Sequence, residues 1–306
     1  MNAAPDKTII EEVALELGID PAFVEKDWYV VQLIRALMTT DLFDAQLIFT
    51  GGTALSKAHR LLQRFSEDID FRLILPTVPP LSGSRQRKLL SAIRDRLRER
   101  IVTQFPMVVL QWKARDENRF FSFEVDYPSV VTPSTVLRPH VLIEFTATTL
   151  SLPPLILPVS SFITELTKTS PEMPAAICID PVENAVDKLS ALVWRVPDRV
   201  RQPADDDPDL VRHIHDLAAL QPYAIRHVDF RRLAIGMIGQ DDDRCDKITG
   251  WPVGKKLQLL LEILTSDTEY RTEYTRFVQG MSYATGEVPN YEEALAKLKM
   301  LMDHLL

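Results

Sequence analysis

The stretch from Ile48 to Phe71 constrains this chain more than any other part of its sequence. It reads IFTGGTALSKAHRLLQRFSEDIDF, and its first residues form an apolar, strand-like run that leads directly into Gly51 and Gly52. Glycines at a strand-to-helix turn let a phosphate approach the backbone N–H groups at the start of a helix. The pattern therefore predicts a phosphate-binding turn between a strand at 46–50 and an amphipathic helix at 53–63.

Acidic and apolar residues alternate at the end of this stretch, in the sequence DIDF that contains Asp68 and Asp70. Carboxylates at positions i and i+2 of a strand point to the same side, about 7 Å apart. Glu144 lies in another apolar run, HVLIEFT, where an unpaired carboxylate would be costly. Three carboxylates on adjacent strands can bind Mg²⁺ together with substrate phosphates. Exposed strand edges also carry acids, so the two-aspartate pattern alone fits a metal site and a solvated pair equally well.

Composition places the chain among soluble globular proteins. Its 306 residues suffice for one large or two ordinary domains, and 46% of them are apolar. No apolar run approaches the ~20 residues that span a bilayer, and the N-terminal segment carries acids where a secretory signal would carry basic residues. Cys178 and Cys245 are isolated, which fits a reducing compartment. We therefore expect a cytoplasmic protein with no membrane partner.

The formal net charge of −8 argues against a general nucleic-acid binder, since phosphate contacts dominate that affinity. Basic residues nevertheless cluster within 85–100 and within 195–201. A polyanion could bind such a cluster, and a solvated helix face explains the first one equally well. The clusters comprise Arg85, Arg87, Lys88, Arg94, Arg96, Arg98 and Arg100, and then Arg195, Arg199 and Arg201.

Hydrophobic periodicity predicts an α+β chain whose first part is a mixed sheet flanked by helices. We predict domains at 1–160 and 161–306, with the sheet ending near residue 150, a proline-containing connection at 151–174 and a helical second domain. The predicted helices are 7–17, one starting at Asp20-Pro21, 53–63, 84–104, one starting at Asp180-Pro181, 208–221, 227–238, 253–266, 267–279 and 290–305. The predicted strands are 46–50, Asp68–Leu75, Met107–Lys113, Phe120–Tyr127 and His140–Thr146.

Several charged residues in the predicted helices have ordinary surface interpretations. Glu25, Lys26 and Asp27 fit solvated charges, with Lys26 beside a nucleotide as the alternative. Lys188 lies off the apolar stripe of its helix and fits a surface lysine. Asp216 follows Arg212 by four residues, which an exposed helical ion pair explains.

Further candidates in the helical half are structural. Glu183 follows Asp180 by three residues and resembles the second member of a capping box. His213 and His215 have no cysteine nearby, which argues against a zinc site. Residues 196–209, with three prolines and three consecutive aspartates, predict an exposed loop.

The segments GGTALSK and RFSEDIDF together resemble the nucleotidyltransferase signature of the AbiEii/AbiGii toxin family, in the DNA polymerase β-like nucleotidyltransferase superfamily. Glu25-Lys26-Asp27, ENAVDKLSALVWR and RHIHDL are also similar to that family, so the resemblance spans about 23–220. His213 departs from it, because the family usually has Asp there. The resemblance implies a two-lobed toxin of an abortive-infection or type IV toxin–antitoxin pair. It implies a nucleoside triphosphate (NTP) substrate, Mg²⁺ or Mn²⁺, the 3′ acceptor end of tRNA and a cognate antitoxin.

The resemblance also implies roles for individual residues. Asp68 and Asp70 would bind metal, with Glu144 at the third acidic position, and Lys188 and Asp216 would complete the catalytic set. The triphosphate would be held by Gly51, Gly52, Ser56 or Lys57, and Lys188, with Ser66 beside the metal. An acceptor hydroxyl would attack the α-phosphate, and transfer to tRNA would block translation. Nucleotidylation of a protein, or a non-enzymatic nucleotide-binding adaptor, are the alternatives.

Overall fold

The computed structural model describes residues 4–77, 82–104, 109–201, 206–284 and 286–306. The described residues of Met1–Arg60 and Phe65–Ile179 form one compact unit, called the sheet unit here. Those of Leu61–Arg64 and Asp180–Leu306 form a second, called the helical unit. The domains expected at 1–160 and 161–306 stay a prediction.

The sheet unit combines helices and strands along its whole length, which confirms the α+β class. Its helices are α1 (Lys7–Leu17), α2 (Pro21–Met38), α3 (Gly51–Lys57), α4 (Gly83–Gln104) and α5 (Phe162–Thr167). Its strands are β1 (Gln46–Thr50), β2 (Asp68–Ile74), β3 (Val109–Arg115), β4 (Phe120–Asp126), β5 (His140–Ala147), β6 (Leu155–Val159) and β7 (Met173–Cys178). Asp20 caps α2 as predicted, since its carboxylate accepts from the Ala22 N–H at 2.8 Å. Of the strand predicted at Met107–Lys113, residues 107 and 108 lie outside the described ranges.

The described strands form one mixed sheet in the order β3-β4-β5-β2-β1-β7-β6. β2 runs antiparallel to β1 and parallel to β5, which makes it a central strand. The prediction that the sheet ends near residue 150 is wrong, because β6 lies within the connection predicted at 151–174 and β7 begins at its end. Pro158 and Pro174 obscured them in the sequence. Both prolines lie where the β6–β7 register shifts, and β6 is an edge strand, a place that tolerates proline.

One face of the sheet builds the core of this unit. Phe71 and Phe145 stack with ring centroids 5.4 Å apart, and Phe121 stacks on Phe145 at 4.7 Å. Apolar side chains of α2 and α4, among them Leu33 and Leu97, belong to the same buried cluster. Because side chains alternate along a strand, burying Phe71 and Phe145 turns the residues beside them to the opposite face.

The helical unit is built on α6 (Pro181–Asp198), which packs against α7, α8 and α9. The Asp180 carboxylate caps it as predicted, accepting from the Val182 N–H at 2.8 Å. None of the helices in the described residues is long and apolar enough to cross a membrane. The remaining helices are α7 (Arg212–Arg226), α8 (Phe230–Gln240), α9 (Val253–Ser266), α10 (Glu269–Met281) and α11 (Tyr291–Asp303).

The second basic cluster is neutralised within this unit. Arg195 pairs with Asp207 at 2.6 Å, and Arg199 pairs with Asp206 at 2.6 Å. Arg201 pairs with Asp267 at 2.8 Å. These contacts make the cluster a poor polyanion site, and they leave Asp206 and Asp207 only partly exposed in the loop predicted at 196–209. Residues 202–205 of that loop lie outside the described ranges.

Candidate active site

Three carboxylates lie on the polar face of the sheet. Asp70 on β2 is the register partner of Glu144 on β5, and Asp68 lies two residues before Asp70. Register partners point to the same face, and neighbouring strands lie about 4.8 Å apart. Ile69 and Phe71 are 0% and 1% exposed on the other side, whereas all three acids are half-buried. We call Asp68, Asp70 and Glu144 the acidic face.

The glycine turn lies directly against this face. Gly51 follows β1 with a φ of +76°, and a Cβ atom placed on it would lie 1.9 Å from Asp70 Oδ2. The close approach of the Asp70 carboxylate thus requires a residue without a side chain. Helix α3 starts at Gly51 and ends at Lys57, earlier at both ends than the predicted 53–63. The Thr53 hydroxyl donates to the Asp68 carbonyl and, at 3.3 Å, to the Ser66 carbonyl, which ties α3 to the start of β2.

Replacing Gly51 by Ala should lower the free energy of unfolding by about 2–3 kcal/mol, because left-handed backbone strain adds to a clash with Asp70. Gly250→Ala is the matched control, since Gly250 has a φ of +74° and an added Cβ there would meet no atom within 4 Å. It should lose only about 1 kcal/mol from strain. Urea unfolding measures both. Equal losses in the two variants would show that Asp70 does not press on Gly51.

Asp68 has a cationic partner on the segment before β5. Arg138 Nη1 lies 2.8 Å from Asp68 Oδ1, and the Arg138 side chain is 45% exposed. The Arg138 N–H donates to Glu67 Oε2 at 2.9 Å, and the Lys26 ammonium donates to the Arg138 carbonyl at 2.8 Å. Lys26 also pairs with Glu67 at 2.6 Å and is fully buried. Burial lowers the pKa of Lys26, and the Glu67 carboxylate opposes that shift.

The neighbours of Lys26 are buried as well. Asp27 pairs with Lys57 at 2.8 Å and accepts from the Phe162 N–H at 2.6 Å. Burial raises the pKa of the Asp27 carboxyl to about 6, although the Lys57 ammonium opposes the shift. Glu25 accepts from the Val130 N–H at 2.6 Å. The interpretation of residues 25–27 as solvated charges is therefore wrong.

Two of the residues predicted to hold the triphosphate, Ser56 and Lys57, are buried and contact other groups of the protein. Lys57, only 5% exposed in its side chain, directs its ammonium to Asp27 and lies 3.9 Å from the centroid of the Phe162 ring. Ser56 is also buried, and its hydroxyl donates to the Thr53 carbonyl at 3.2 Å. The triphosphate role assigned to both residues stays a prediction.

Asp216 is the centre of a buried ion-pair cluster in the helical unit. Arg64 Nε and Nη2 each donate to one Asp216 oxygen at 2.7 Å, and Lys188 Nζ lies 2.8 Å from Oδ2. Asp216 is 0% exposed, so it is not a surface partner of Arg212, which pairs with Asp207 at 3.3 Å. Lys188 is likewise buried, which corrects its interpretation as a surface lysine.

Electrostatics keep Asp216 ionised. Burial alone would raise the pKa of this carboxyl, but the charges of Arg64 and Lys188 outweigh it and hold the pKa well below its usual range. His213, the departure from the family pattern, has a pKa well below its ordinary value because of burial and the nearby Lys188 and Arg212. It is therefore neutral at pH 7 and adds no charge to the cluster.

Sequence reasoning missed Arg64 and Arg138. Arg64 directly follows the helix predicted at 53–63, and Arg138 does not stand out in the sequence. The one signal for Arg64 was its place as the first residue of RFSEDIDF, a segment that carries the family resemblance. No sequence pattern pointed to Arg138.

Comparisons with known proteins identify the family and the fold of this chain. A family model described as "Nucleotidyl transferase AbiEii toxin, Type IV TA system" matches residues 32–297. MenT4, a nucleotidyltransferase toxin from Mycobacterium tuberculosis H37Rv, has a similar structure, with a TM-score of 0.57 and 18% identity over 97% of this chain and 89% of that chain. JHP933 from Helicobacter pylori gives a TM-score of 0.43 and 14% identity over 92% of each chain. No protein of curated function matches the sequence. The similarity to MenT4 confirms the fold expected from the sequence resemblance.

Proposed function

The chain belongs to the AbiEii family of nucleotidyl transferase toxins of type IV toxin–antitoxin systems, and we propose that it transfers a nucleoside monophosphate from an NTP to the 3′ end of tRNA. Membership implies an NTP substrate and an antitoxin partner. The transfer takes place in the cytoplasm and blocks translation by modifying the tRNA acceptor end. The observation that carries the proposal is the acidic face beside the Gly51 turn.

The donor set of this face fits Mg²⁺ or Mn²⁺. Mg²⁺ prefers oxygen ligands and is usually held by one or two carboxylates together with water and substrate phosphates. In the part of the chain that the structure describes, no group of three or more His, Cys, Asp or Glu side chains could hold a metal ion. In this proposal Asp68 and Asp70 therefore hold the metal together with water and the triphosphate, and Glu144 supports them from the neighbouring strand. When bound, the metal would neutralise charge that develops on the phosphates.

The chain's own residues then position the two reactants. In this proposal, backbone N–H groups of the Gly51-Gly52 turn bind the phosphates, and Ser66, two residues before Asp68, lies beside the metal. Lys188 adds positive charge at the phosphates, as the family motif implies, and Asp216 orients its ammonium through their 2.8 Å ion pair. The acceptor hydroxyl loses its proton to water, its oxygen bonds to the α-phosphorus, the bond to the pyrophosphate oxygen breaks, and pyrophosphate leaves.

The basic cluster on α4 favours RNA over protein as the acceptor. Arg85, Lys88 and Arg98 are exposed on a helix of a chain whose net charge is −8. The arginines at 195–201 form ion pairs with aspartates, whereas these three residues of α4 are exposed to solvent. Phosphate contacts with Lys and Arg supply most of the sequence-independent affinity for nucleic acids.

A labelling experiment tests the function and its alternatives. The protein is incubated with each of the four NTPs labelled at the α-phosphate, with total tRNA and with cell lysate. We expect label in the tRNA band with at least one NTP, and none when periodate has destroyed the tRNA 3′ diol. A labelled protein band would favour protein nucleotidylation. Absence of label from every band would favour a non-enzymatic adaptor and refute the proposal.

A further inference from the structure

Two contacts to its backbone hold Arg138 beside the acidic face. Its side chain is therefore available to pair with Asp68. Its N–H and its carbonyl are bound by Glu67 at 2.9 Å and by Lys26 at 2.8 Å. Lys26 is fully buried, and it is joined to Glu67 by a 2.6 Å ion pair. Because Lys26 and Glu67 also pair with each other, they fix the position of the Arg138 backbone. This limits the positions that its guanidinium can reach.

The guanidinium meets Asp68, a residue of the proposed metal site. Nη1 lies 2.8 Å from Asp68 Oδ1, whereas Nε lies 3.8 Å from Glu67 Oε1. The Glu67 carboxylate is already paired with Lys26, so Asp68 is the principal anionic partner of Arg138.

A divalent cation on Asp68 would compete with the guanidinium for that carboxylate. It would bring two further positive charges close to Arg138, and like charges repel. The Arg138 side chain is 45% exposed, so it can swing away without unpacking the core. The triphosphate that accompanies the metal is an anion suited to a guanidinium, which pairs with phosphate through charge-assisted hydrogen bonds.

We propose that Arg138 is an exchange cation: it neutralises Asp68 before substrate arrives, yields that carboxylate to the divalent metal, and then pairs with the phosphates. The inference rests on the proposed function, since it requires the metal site on the acidic face. Lys26 and Glu67 are positioning residues in this scheme, because they hold the Arg138 backbone and do not themselves contact the substrate. Arg138 therefore opposes metal binding and favours binding of the metal–triphosphate complex.

Binding measurements on the full chain test both effects. Mn²⁺ titrations followed by electron paramagnetic resonance give the affinity for the metal alone, and calorimetry with Mn²⁺-tripolyphosphate gives the affinity for a base-independent substrate mimic. Arg138→Ala should bind Mn²⁺ about fivefold more tightly, since a half-exposed ion pair is worth up to ~1 kcal/mol. The same variant should bind Mn²⁺-tripolyphosphate about tenfold more weakly, because a charged hydrogen bond is lost.

Matched variants separate this role from a structural one. Arg138→Lys should restore both affinities in part, and Arg232→Ala, which removes an exposed arginine paired with Asp229, should change neither. A merely structural role would not move the two affinities in opposite directions. Unchanged or weaker Mn²⁺ binding by Arg138→Ala overturns the inference while leaving the proposed function standing. Equal Mn²⁺ affinity of the wild type and of Asp68→Asn would show that Asp68 does not bind the metal. That result overturns both the inference and the proposed function.

Discussion

Asp70→Asn should reduce the transfer of labelled nucleotide to tRNA by on the order of 10³-fold while leaving the fold intact. The amide keeps the size of the carboxylate but loses its charge and its strength as a ligand for Mg²⁺. Asp70 is half-buried on the polar face, and Gly51 leaves space for a group of this shape. The stability should therefore change by less than about 1 kcal/mol.

Initial transfer rates and thermal unfolding, measured on the same preparations, check this expectation. Asp41→Asn is a suitable control, because Asp41 is exposed and caps a turn by accepting from the Phe43 N–H at 3.3 Å. Glu144→Gln should fall between the two variants if Glu144 supports the metal from the neighbouring strand. Wild-type rates in Asp70→Asn would remove the acidic face from the mechanism, whatever the acceptor proves to be.

The acidic face could be predicted from the sequence because it depends on the alternation of neighbouring residues along one strand. Alternation of acidic and apolar residues in the DIDF segment fixed which side Asp68 and Asp70 would share. The Gly51 turn was equally local, since a strand, two glycines and a helix follow one another without interruption. Glu144 could be suspected because a carboxylate in an apolar strand needs a partner, and the β2–β5 register now places it opposite Asp70.

The buried ion pairs were not accessible, because their partners are distant in sequence. Arg64 and Asp216 are 152 residues apart, and Lys26 and the Arg138 carbonyl are 112 apart. Without the partner in view, a charged residue on a helix is interpreted as solvated, which explains the wrong surface interpretation of Lys26, Lys188 and Asp216. The end of the helix predicted at 53–63 was likewise not accessible, because residues 61–64 group with the helical unit, which is distant in sequence.

Asp216→Ala should destabilise the helical unit by about 3–5 kcal/mol, because it leaves two buried cations without their counter-charge. Arg64 is 4% exposed in its side chain and Lys188 is 8% exposed, so water cannot replace the carboxylate. Asp229→Ala is the matched control within the same unit, since its 2.8 Å pair with Arg232 is solvated and should be worth less than about 1 kcal/mol. Hydrogen exchange of α6 and α7 peptides reports this unit separately from the sheet.

The effect should depend on pH with a defined sign. The folded-state pKa of Asp216 is depressed, so its stabilising contribution is present above the unfolded pKa of about 3.9 and is lost as the pH falls below it. The difference in stability between wild type and Asp216→Asn should therefore be constant near neutral pH and shrink below about pH 4. A difference that grew on acidification would contradict the assignment of Arg64 and Lys188 as the partners that hold Asp216 ionised.

Lys188→Met separates the structural role of this cluster from its proposed catalytic one. The substitution keeps the two 2.7 Å contacts between Arg64 and Asp216, so the helical unit should stay folded and lose far less stability than Asp216→Ala does. If Lys188 contacts the phosphates, transfer should nevertheless fall by about 10²-fold or more, because positive charge aimed at the developing negative charge is removed. Normal transfer by a stable Lys188→Met protein would instead show that the cluster has only a structural role, which is to hold α6 and α7 together.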